Sequence, residues 1–127
     1  MKIVVFIQSS DNQINSMSLE SLSAAQEMKK MCNGELHLVI FNNLDNTLPE
    51  YECDSIIALD NSELQNYNPL FFVEAFNQIN NQINPDLFIF AHSYETRDWV
   101  PRLSARLDIP FISDCTNFSF NEKFTFT

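Results

Sequence analysis

The stretch that decides the fold is PDLFIFAHSYETRDWVPRLSARLDIPFIS, residues 85–113. Its first part, Asp86–Ala91, is a continuous apolar run, as in strands that are covered on both faces. After a polar loop, a helix is predicted from about Thr96 to Leu107, because its apolar side chains share one stripe at helical spacing: Trp99, Leu103 and Leu107. Pro110–Ser113 predicts a further strand. This order of elements predicts a parallel sheet.

The same alternation continues over the rest of the chain. Apolar runs at Lys2–Ile7, Glu35–Phe41 and Ser55–Leu59 predict three more strands, and a helical pattern follows the first and the third of them. We therefore predict a three-layer, Rossmann-like α/β fold with a parallel sheet of strand order 3-2-1-4-5. Near the end, FSF and FTFT alternate with period two and predict added antiparallel or edge strands. Residues 42–53 are predicted to be loose, with at most one helical turn at 49–51.

Local signals predict where the helices begin and end. The second helix is predicted to begin at Pro69 and to end at Asn84-Pro85, with these residues on its core face: Phe72, Val73, Phe76, Ile79 and Ile83. Ser16 or Ser18 is predicted to cap the first helix, with Glu20 in its first turn, and Gly34 is predicted to be the glycine that ends it. In the last helix, Pro101 is tolerable only if the helix begins near Asp98, because first-turn N–H groups have no partner within the helix. Asp98 is therefore predicted to be a cap or a first-turn acid.

The composition excludes several classes of partner. Among 127 residues, 7 basic and 17 acidic side chains give a formal charge of −10, which argues against nucleic acid and anionic membranes. The charge suits a basic partner surface, although solubility alone also explains it. No apolar run approaches the roughly 18 residues of a membrane span. Three cysteines, far apart in sequence, predict buried thiols in a reducing cytoplasm.

The sequence contains a single glycine, Gly34, which excludes the glycine-rich loops that bind phosphate. A Rossmann fingerprint needs three glycines and a P-loop needs two, so a phosphate bound here is not held by a glycine loop. A response regulator is excluded because the predicted fifth strand ends in SDCT, without the lysine that this class needs directly after it. The two histidines, His37 and His92, have no Cys, His or Asp at ligand spacing, so no metal site is expected. No Ser–His–acid set is evident, and we predict that the chain has no enzymatic activity of its own.

The predicted sheet order brings two loops together, because the strand order reverses between the first and fourth strands. These loops, Gln8–Asn15 and Ala91–Thr96, would form a crevice at the carboxyl ends of the strands. Its candidate residues are Gln8, Ser9, His92, Ser93 and Thr96. A second group is predicted to fix the loop-to-helix junction and to take no part in chemistry: Arg97, Asp98, Pro101 and Arg102.

Residues 85–118 resemble the N-terminal domain of the electron transfer flavoprotein alpha subunit, within the adenine nucleotide alpha hydrolase-like superfamily. The residues that match the family pattern are Arg97, Asp98, Pro101, Arg102, Leu103, Ala105, Arg106, Leu107, Asp114, Cys115 and Thr116. The first helix, SLESLSAAQEM, is also similar to that of the family. Two departures are evident: Thr96 replaces a glycine of the family, and residues 42–53 replace a helix.

The resemblance implies an electron carrier and not an enzyme. In that family a beta subunit is the partner, dehydrogenases and a quinone-linked acceptor exchange electrons with the protein, and a C-terminal domain holds FAD. Residues 1–127 would then be an N-terminal scaffold and interface domain without the FAD-binding domain, so no FAD is expected in this chain. The alternative is a free-standing nucleotide-binding module of the same superfamily. The aromatic face near Phe124–Thr127 further predicts that a second copy covers it, giving a homodimer or a swapped terminus.

Overall fold

A computed structural model describes residues 1–10, 13–42, 52–113, 115 and 117–127 of the chain. The strands are β1 (Lys2–Phe6), β2 (Ser9–Ser10), β3 (Gln13–Ile14), β4 (Glu35–Phe41), β5 (Ser55–Leu59), β6 (Leu87–Ile89), β7 (Phe118–Asn121) and β8 (Lys123–Phe126). The helices are α1 (Ser16–Cys32), α2 (Pro69–Ile83) and α3 (Tyr94–Leu107), with a short 3-10 turn at Ser62–Leu64. The predicted helical turn at 49–51 lies outside the described residues.

The central sheet has four parallel strands in the order β5-β4-β1-β6. In chain order these are the third, second, first and fourth long strands, so the predicted α/β fold and the reversal between the first and fourth strands are confirmed. β1 lies between β4 and β6, and Val5 is in register with Leu38 on one side and Ile89 on the other. β1 is therefore the strand around which the sheet is built.

The predicted fifth strand, Pro110–Ser113, is wrong. These four residues have no strand pairing and are exposed to solvent. Two physical reasons are evident. Pro110 has no N–H to donate to a sheet, and a parallel strand must be covered on both faces. In the described part of the chain, no helix follows α3 to cover one face of such a strand. Sheet pairing therefore stops at β6, which itself has only three residues.

Each face of the sheet carries its own core, because successive side chains of β1 point to opposite faces. On one face, α2 and α3 pack over Val4 and Phe6 of β1. On the other, α1 packs over Ile3, Val5 and Ile7. All five of these side chains are buried. The two cores together confirm the predicted three layers.

Aromatic side chains fill the core under α2 and α3. Trp99 lies at its centre, fully buried, and its ring centroid is 5.1 Å from those of Phe76 and Phe90 and 5.8 Å from that of Phe6. Several of these ring pairs meet edge to face, the arrangement that aromatic quadrupoles favour. The indole Nε1 has no hydrogen-bond partner among the described residues. Trp99 therefore stabilises the core through packing.

Both ends of helix α1 differ from the prediction. Its N-cap is Asn15, whose side chain accepts a hydrogen bond from the Met17 N–H, and its first turn carries no acid. Ser18, a predicted cap, is instead fully buried inside the helix. At the C-terminus, Asn33 takes the left-handed conformation (φ 52°), whereas Gly34 does not have positive φ. Asparagine tolerates that conformation because its short side chain hydrogen-bonds locally.

Helix α3 begins at Tyr94, two residues before the predicted start. Its N-cap is Ser93, which forms a capping box with Thr96, so Asp98 lies in the second turn and is neither a cap nor a first-turn acid. Pro101 is consequently inside the helix, against the prediction. Its missing N–H leaves the Arg97 carbonyl without its usual helical donor. The residue lies on a half-exposed stretch of the helix, where water can serve that carbonyl.

Helix α2 has the predicted start and end. Asn68 caps it, Pro69 occupies its first turn, and Asn84 ends it in the left-handed conformation. Its buried face consists of predicted core positions: Phe72, Val73, Phe76 and Ile79. None of the described helices is both long and apolar enough to cross a membrane.

Two small antiparallel pairs complete the described chain. β2 and β3 form a pair within the segment predicted to be a polar loop, of which residues 11 and 12 lie outside the description. β7 and β8 form the predicted C-terminal hairpin, with Glu122 at positive φ in its turn.

The cysteines are less buried than predicted. Cys32 and Cys53 are half-buried against the α1 core, Cys115 is exposed, and all three are free thiols.

The contrast between Asn33 and Gly34 gives a stability prediction. A Cβ at Gly34 would lie 2.5 Å from the Met1 carbonyl oxygen and 2.9 Å from Cys32 Sγ. Gly34→Ala should therefore lower the free energy of unfolding by about 1–3 kcal/mol. Asn33→Gly should be neutral or stabilising, because glycine adopts positive φ without strain. Urea unfolding of both variants measures the difference. A neutral Gly34→Ala beside a destabilising Asn33→Gly would contradict this account.

Candidate functional site

A crevice opens at the carboxyl edge of the sheet, beyond the ends of β1 and β6. Its volume is about 440 Å³. The lining residues come from the loop after β1, the start of α1 and the start of α3: Gln8, Asn15, Met17, His92, Ser93, Tyr94, Glu95 and Arg97. This is the place where open α/β sheets bind ligands, since the helices on either side leave the sheet in different directions.

Three of the five predicted crevice residues line the cavity, namely Gln8, His92 and Ser93. Thr96 lies buried beneath it, and Ser9 is taken up in β2. The prediction missed Asn15 and Met17 at the start of α1, and Tyr94, Glu95 and Arg97 at the start of α3. A signal for these residues existed, because helices that follow parallel strands begin at the same edge of the sheet.

Gln8 connects both sides of the crevice. Its backbone N–H donates to Ser18 Oγ of α1 at 2.8 Å, and its carbonyl accepts from the Asn15 N–H at 2.9 Å. Its side-chain amide donates to Glu95 Oε2 at 2.8 Å and accepts from Ser93 Oγ at 3.1 Å. The polar groups of Gln8 thus bind groups of the chain itself, and they hold the start of α3 against the end of β1.

The start of α3 is closed in a similar way. The Thr96 N–H donates to Ser93 Oγ at 3.2 Å, and the Ser93 N–H donates to Thr96 Oγ1 at 2.8 Å. The Thr96 hydroxyl also donates to the Ala91 carbonyl at 2.6 Å. Because these bonds are reciprocal, the Thr96 N–H in the first turn of α3 and the Ser93 N–H before it are both satisfied. Fewer N–H groups therefore remain for an anion at this helix terminus than at an uncapped one.

Glu95 is the acid of the crevice. Burial raises the pKa of its carboxyl group above the usual range. Its described side-chain contact is the Gln8 amide, which is neutral and cannot offset the loss of hydration as a cation would. The carboxylate lies at the lining of the cavity, where it would repel a bound phosphate.

The predicted junction residues have different surroundings. Asp98 accepts a hydrogen bond from the Tyr67 hydroxyl and is paired with Arg102 at 3.4 Å. Burial, and then the hydrogen bond to Asp98, raise the pKa of the Tyr67 hydroxyl well above its usual range. Asp98 thus ties α3 to the loop before α2. Arg97 is exposed beside the cavity, and its guanidinium has no ion pair within the described ranges.

A further contact between α2 and α3 involves Arg106, whose guanidinium is 2.8 Å from the Glu74 carboxylate.

The role of Pro101 and Arg102 in the junction remains a prediction.

The described residues offer no cluster of His, Cys, Asp and Glu side chains that could hold a metal ion. His37 lies outside the crevice, on β4, where its ring nitrogens contact Ser55 Oγ at 2.5 Å and Glu35 Oε2 at 3.3 Å.

The crevice does not fit a flavin dinucleotide. A pyrophosphate at this position would need free backbone donors or a paired set of cations. Instead, the Thr96 N–H is engaged by Ser93, the Gln8 amide is engaged by Glu95 and Ser93, and the Glu95 carboxylate faces the same space. Arg97 is the only basic side chain among the described lining residues besides His92.

The fold and the crevice define a Rossmann-like α/β protein. Comparison with known families gives the particular class: a family model described as "Electron transfer flavoprotein domain" matches residues 3–127, and the chain belongs to that family. Three relatives named electron transfer flavoprotein subunit alpha are each 25% identical to it. They come from Thermoanaerobacterium thermosaccharolyticum, Clostridium acetobutylicum and Bacillus subtilis, and the matches cover 95%, 92% and 93% of this chain. The resemblance to alpha subunits is therefore confirmed.

The chain is much shorter than these relatives. The matches cover 38%, 36% and 37% of the relatives' own lengths. What the described residues show is accordingly one part of the architecture of an alpha subunit.

Glu95 gives a pH-dependent prediction. Because its pKa is raised in the folded chain, ionisation is penalised there, and stability is lost as the pH rises from the unfolded pKa through the folded pKa. Gln cannot ionise, so Glu95→Gln should match the original chain at about pH 3 and be more stable at about pH 7, by less than about 1 kcal/mol for this partly exposed group. Urea unfolding at both pH values measures this, with the exposed Glu20→Gln as control. The quantity to compare is the free energy of unfolding of Glu95→Gln minus that of the original chain. A smaller difference at pH 7 than at pH 3 would refute the prediction.

Proposed function

We propose that the chain acts as the N-terminal part of an electron transfer flavoprotein alpha subunit, in which it supplies the scaffold and the subunit interface. It carries no redox centre and no catalytic residue of its own. The family match over residues 3–127 supports the assignment to an electron transfer flavoprotein. The hydrogen bonds among Gln8, Ser93 and Glu95 in the crevice support a structural role without a cofactor.

The observation that carries the proposal is the set of hydrogen bonds around Gln8. A nucleotide site at the switch point of a parallel sheet presents unpaired donors to a phosphate. Here Gln8 bonds to Glu95 and Ser93, and Thr96 completes the capping box. A chain whose own side chains engage these polar groups is suited to hold structure and not cofactor.

The cofactor and the partners would lie outside this chain. FAD would be held by a domain outside these 127 residues, as in the family that the sequence resembles. The partner would be an electron transfer flavoprotein beta subunit in a cytoplasmic heterodimer, with dehydrogenases as donors and a quinone-linked acceptor.

A second candidate is a free-standing nucleotide-binding module. One observation favours it, namely a cavity of about 440 Å³ at the position where related folds bind nucleotides. The two candidates differ in a direct way, because the module would bind adenine nucleotide and the alpha-subunit domain would not.

Ligand binding tests the choice between them. The purified chain should be colourless and retain no FAD through gel filtration, and titration calorimetry should detect no micromolar binding of AMP or ATP. Glu95→Gln serves as a matched variant that removes the repelling carboxylate while it keeps an acceptor for Gln8. Micromolar binding of AMP or ATP by the original chain would favour the nucleotide-binding module, and stoichiometric FAD would contradict the proposed position of the flavin.

The oligomeric state tests the homodimer predicted from the aromatic end of the chain. Phe118, Phe124 and Phe126 are half-buried and pack against the core under α1, so this hairpin offers a second copy less apolar surface than the sequence predicts. From this packing we expect a monomer at high micromolar concentration in sedimentation experiments. A dimer that dissociates on Phe126→Ser substitution would support the homodimer predicted from the sequence.

A further inference from the structure

The aromatic core under α2 and α3 contains the single tryptophan of the sequence, Trp99. Its side chain is fully buried, and the rings that it contacts are those of phenylalanines, which are far harder to oxidise than an indole. An indole that loses one electron becomes a radical cation with an acidic N–H. In the described part of the chain, however, the Trp99 Nε1–H has no hydrogen-bond acceptor that could take the proton. The positive charge of an oxidised Trp99 would therefore stay in the core.

A positive charge on Trp99 would be unfavourable, because the core around it consists of apolar side chains. Moving an ion from water into an apolar interior costs free energy unless a partner of opposite charge lies beside it. The buried radical cation is consequently a stronger oxidant than the same group in water. It would take an electron from a nearby side chain if that step removed the charge from the core.

Tyr67, which lies just before α2, is placed to supply that electron. Its ring centroid is 5.2 Å from that of Phe72, which in turn is 5.6 Å from that of Trp99, and both pairs meet nearly edge to face. Phe72 thus joins the two oxidisable rings by direct packing. Tyr94, the other tyrosine in the described ranges, is 90% exposed and lies outside this core cluster.

The hydroxyl proton of Tyr67 also has an acceptor in place. A phenol releases its proton when it loses an electron, and the Tyr67 hydroxyl already donates a hydrogen bond to the Asp98 carboxylate. Asp98 directly precedes Trp99 in α3, and its other carboxylate oxygen is 3.4 Å from the Arg102 guanidinium. Burial, and then the hydrogen bond to Asp98, raise the pKa of the Tyr67 hydroxyl, so the phenol is protonated at rest. Both the electron and the proton of Tyr67 therefore have short paths to their acceptors.

We propose that Tyr67 is the electron donor that reduces an oxidised Trp99. A one-electron oxidant, such as a small radical or a photoexcited acceptor, first removes one electron from the Trp99 indole. One electron then passes from Tyr67 to Trp99, while the Tyr67 hydroxyl proton passes to the Asp98 carboxylate. The products are a neutral Trp99, a neutral Tyr67 radical and a protonated Asp98, so no charge remains in the core.

This transfer moves the oxidised group from the core to a half-buried side chain, where a reductant in solution can restore it. The inference is independent of the proposed function, because neither a flavin nor a partner protein takes part in the transfer.

Flash photolysis with transient absorption tests the proposal on the purified chain. A flash at the long-wavelength edge of the indole absorption, where tyrosine does not absorb, ejects an electron from Trp99, and dissolved hexaamminecobalt(III) takes up that electron. The indole radical should decay at the rate at which a tyrosyl radical appears. This rate should not depend on protein concentration, and it should be lower in heavy water, because a proton moves with the electron.

Three substitutions identify the groups involved. Tyr67→Phe keeps the ring and removes the hydroxyl, so the tyrosyl signal should be lost and the indole radical should persist. Asp98→Asn keeps a hydrogen-bond acceptor but removes the base, and it should slow the transfer by about tenfold or more. The matched control is Tyr94→Phe, which removes the hydroxyl of an exposed tyrosine and should behave as the original chain does.

Two results would overturn the proposal. A tyrosyl radical that still forms in Tyr67→Phe, or that is lost in Tyr94→Phe, would show that Tyr67 is not the donor. Equal rates in Asp98→Asn and the original chain, without any effect of heavy water, would show that Asp98 does not take the proton. Circular dichroism checks that each variant is folded. If Tyr67→Phe does not fold, the Asp98→Asn variant and the comparison in heavy water still decide the outcome.

Discussion

Burial of β1 on both faces is the constraint on which the rest of the structure depends. Val4 and Phe6 require α2 and α3 on one side, while Ile3 and Val5 require α1 on the other. Helices that cover both faces of a parallel sheet must begin at the carboxyl ends of its strands. The starts of α1 and α3 therefore meet just beyond β1, and Gln8 is the residue that emerges between them.

The hydrogen bonds of Gln8 determine which polar groups of the crevice remain free for a ligand. Its amide binds the start of α3, and its backbone N–H binds Ser18 in α1. Thr96 adds to this closure, since the sequence has a hydroxyl-bearing side chain where the resembled family has glycine, and that hydroxyl binds the Ala91 carbonyl. The outcome is a crevice in which Gln8, Ser93 and Glu95 bond to one another, so these polar groups are not free for a ligand.

Much of the fold was predictable from the sequence because local patterns of apolar residues specify its strands and helices. The runs at Glu35–Phe41 and Ser55–Leu59 gave strands with the predicted bounds, and the stripe through Phe72 and Phe76 gave the core face of α2. The fifth strand failed because an apolar run carries no information about what covers it. The network around Gln8 could not be predicted, since it joins residues 85 and 87 positions apart. The early start of α3 is set by Ser93, which caps the helix as well as lining the crevice for which the sequence predicts it.

Amide hydrogen exchange measured by NMR tests the closed crevice most directly. The Gln8 N–H bonds to Ser18 Oγ, and the Thr96 N–H bonds to Ser93 Oγ, in the chain without any ligand. Both amides should therefore be protected in the free chain, to a degree that Gln8→Ala reduces at Thr96, and addition of AMP or FAD should leave the protection unchanged. Rapid exchange at Gln8 and Thr96 in the free chain, with protection that appears only when a nucleotide is added, would contradict the account.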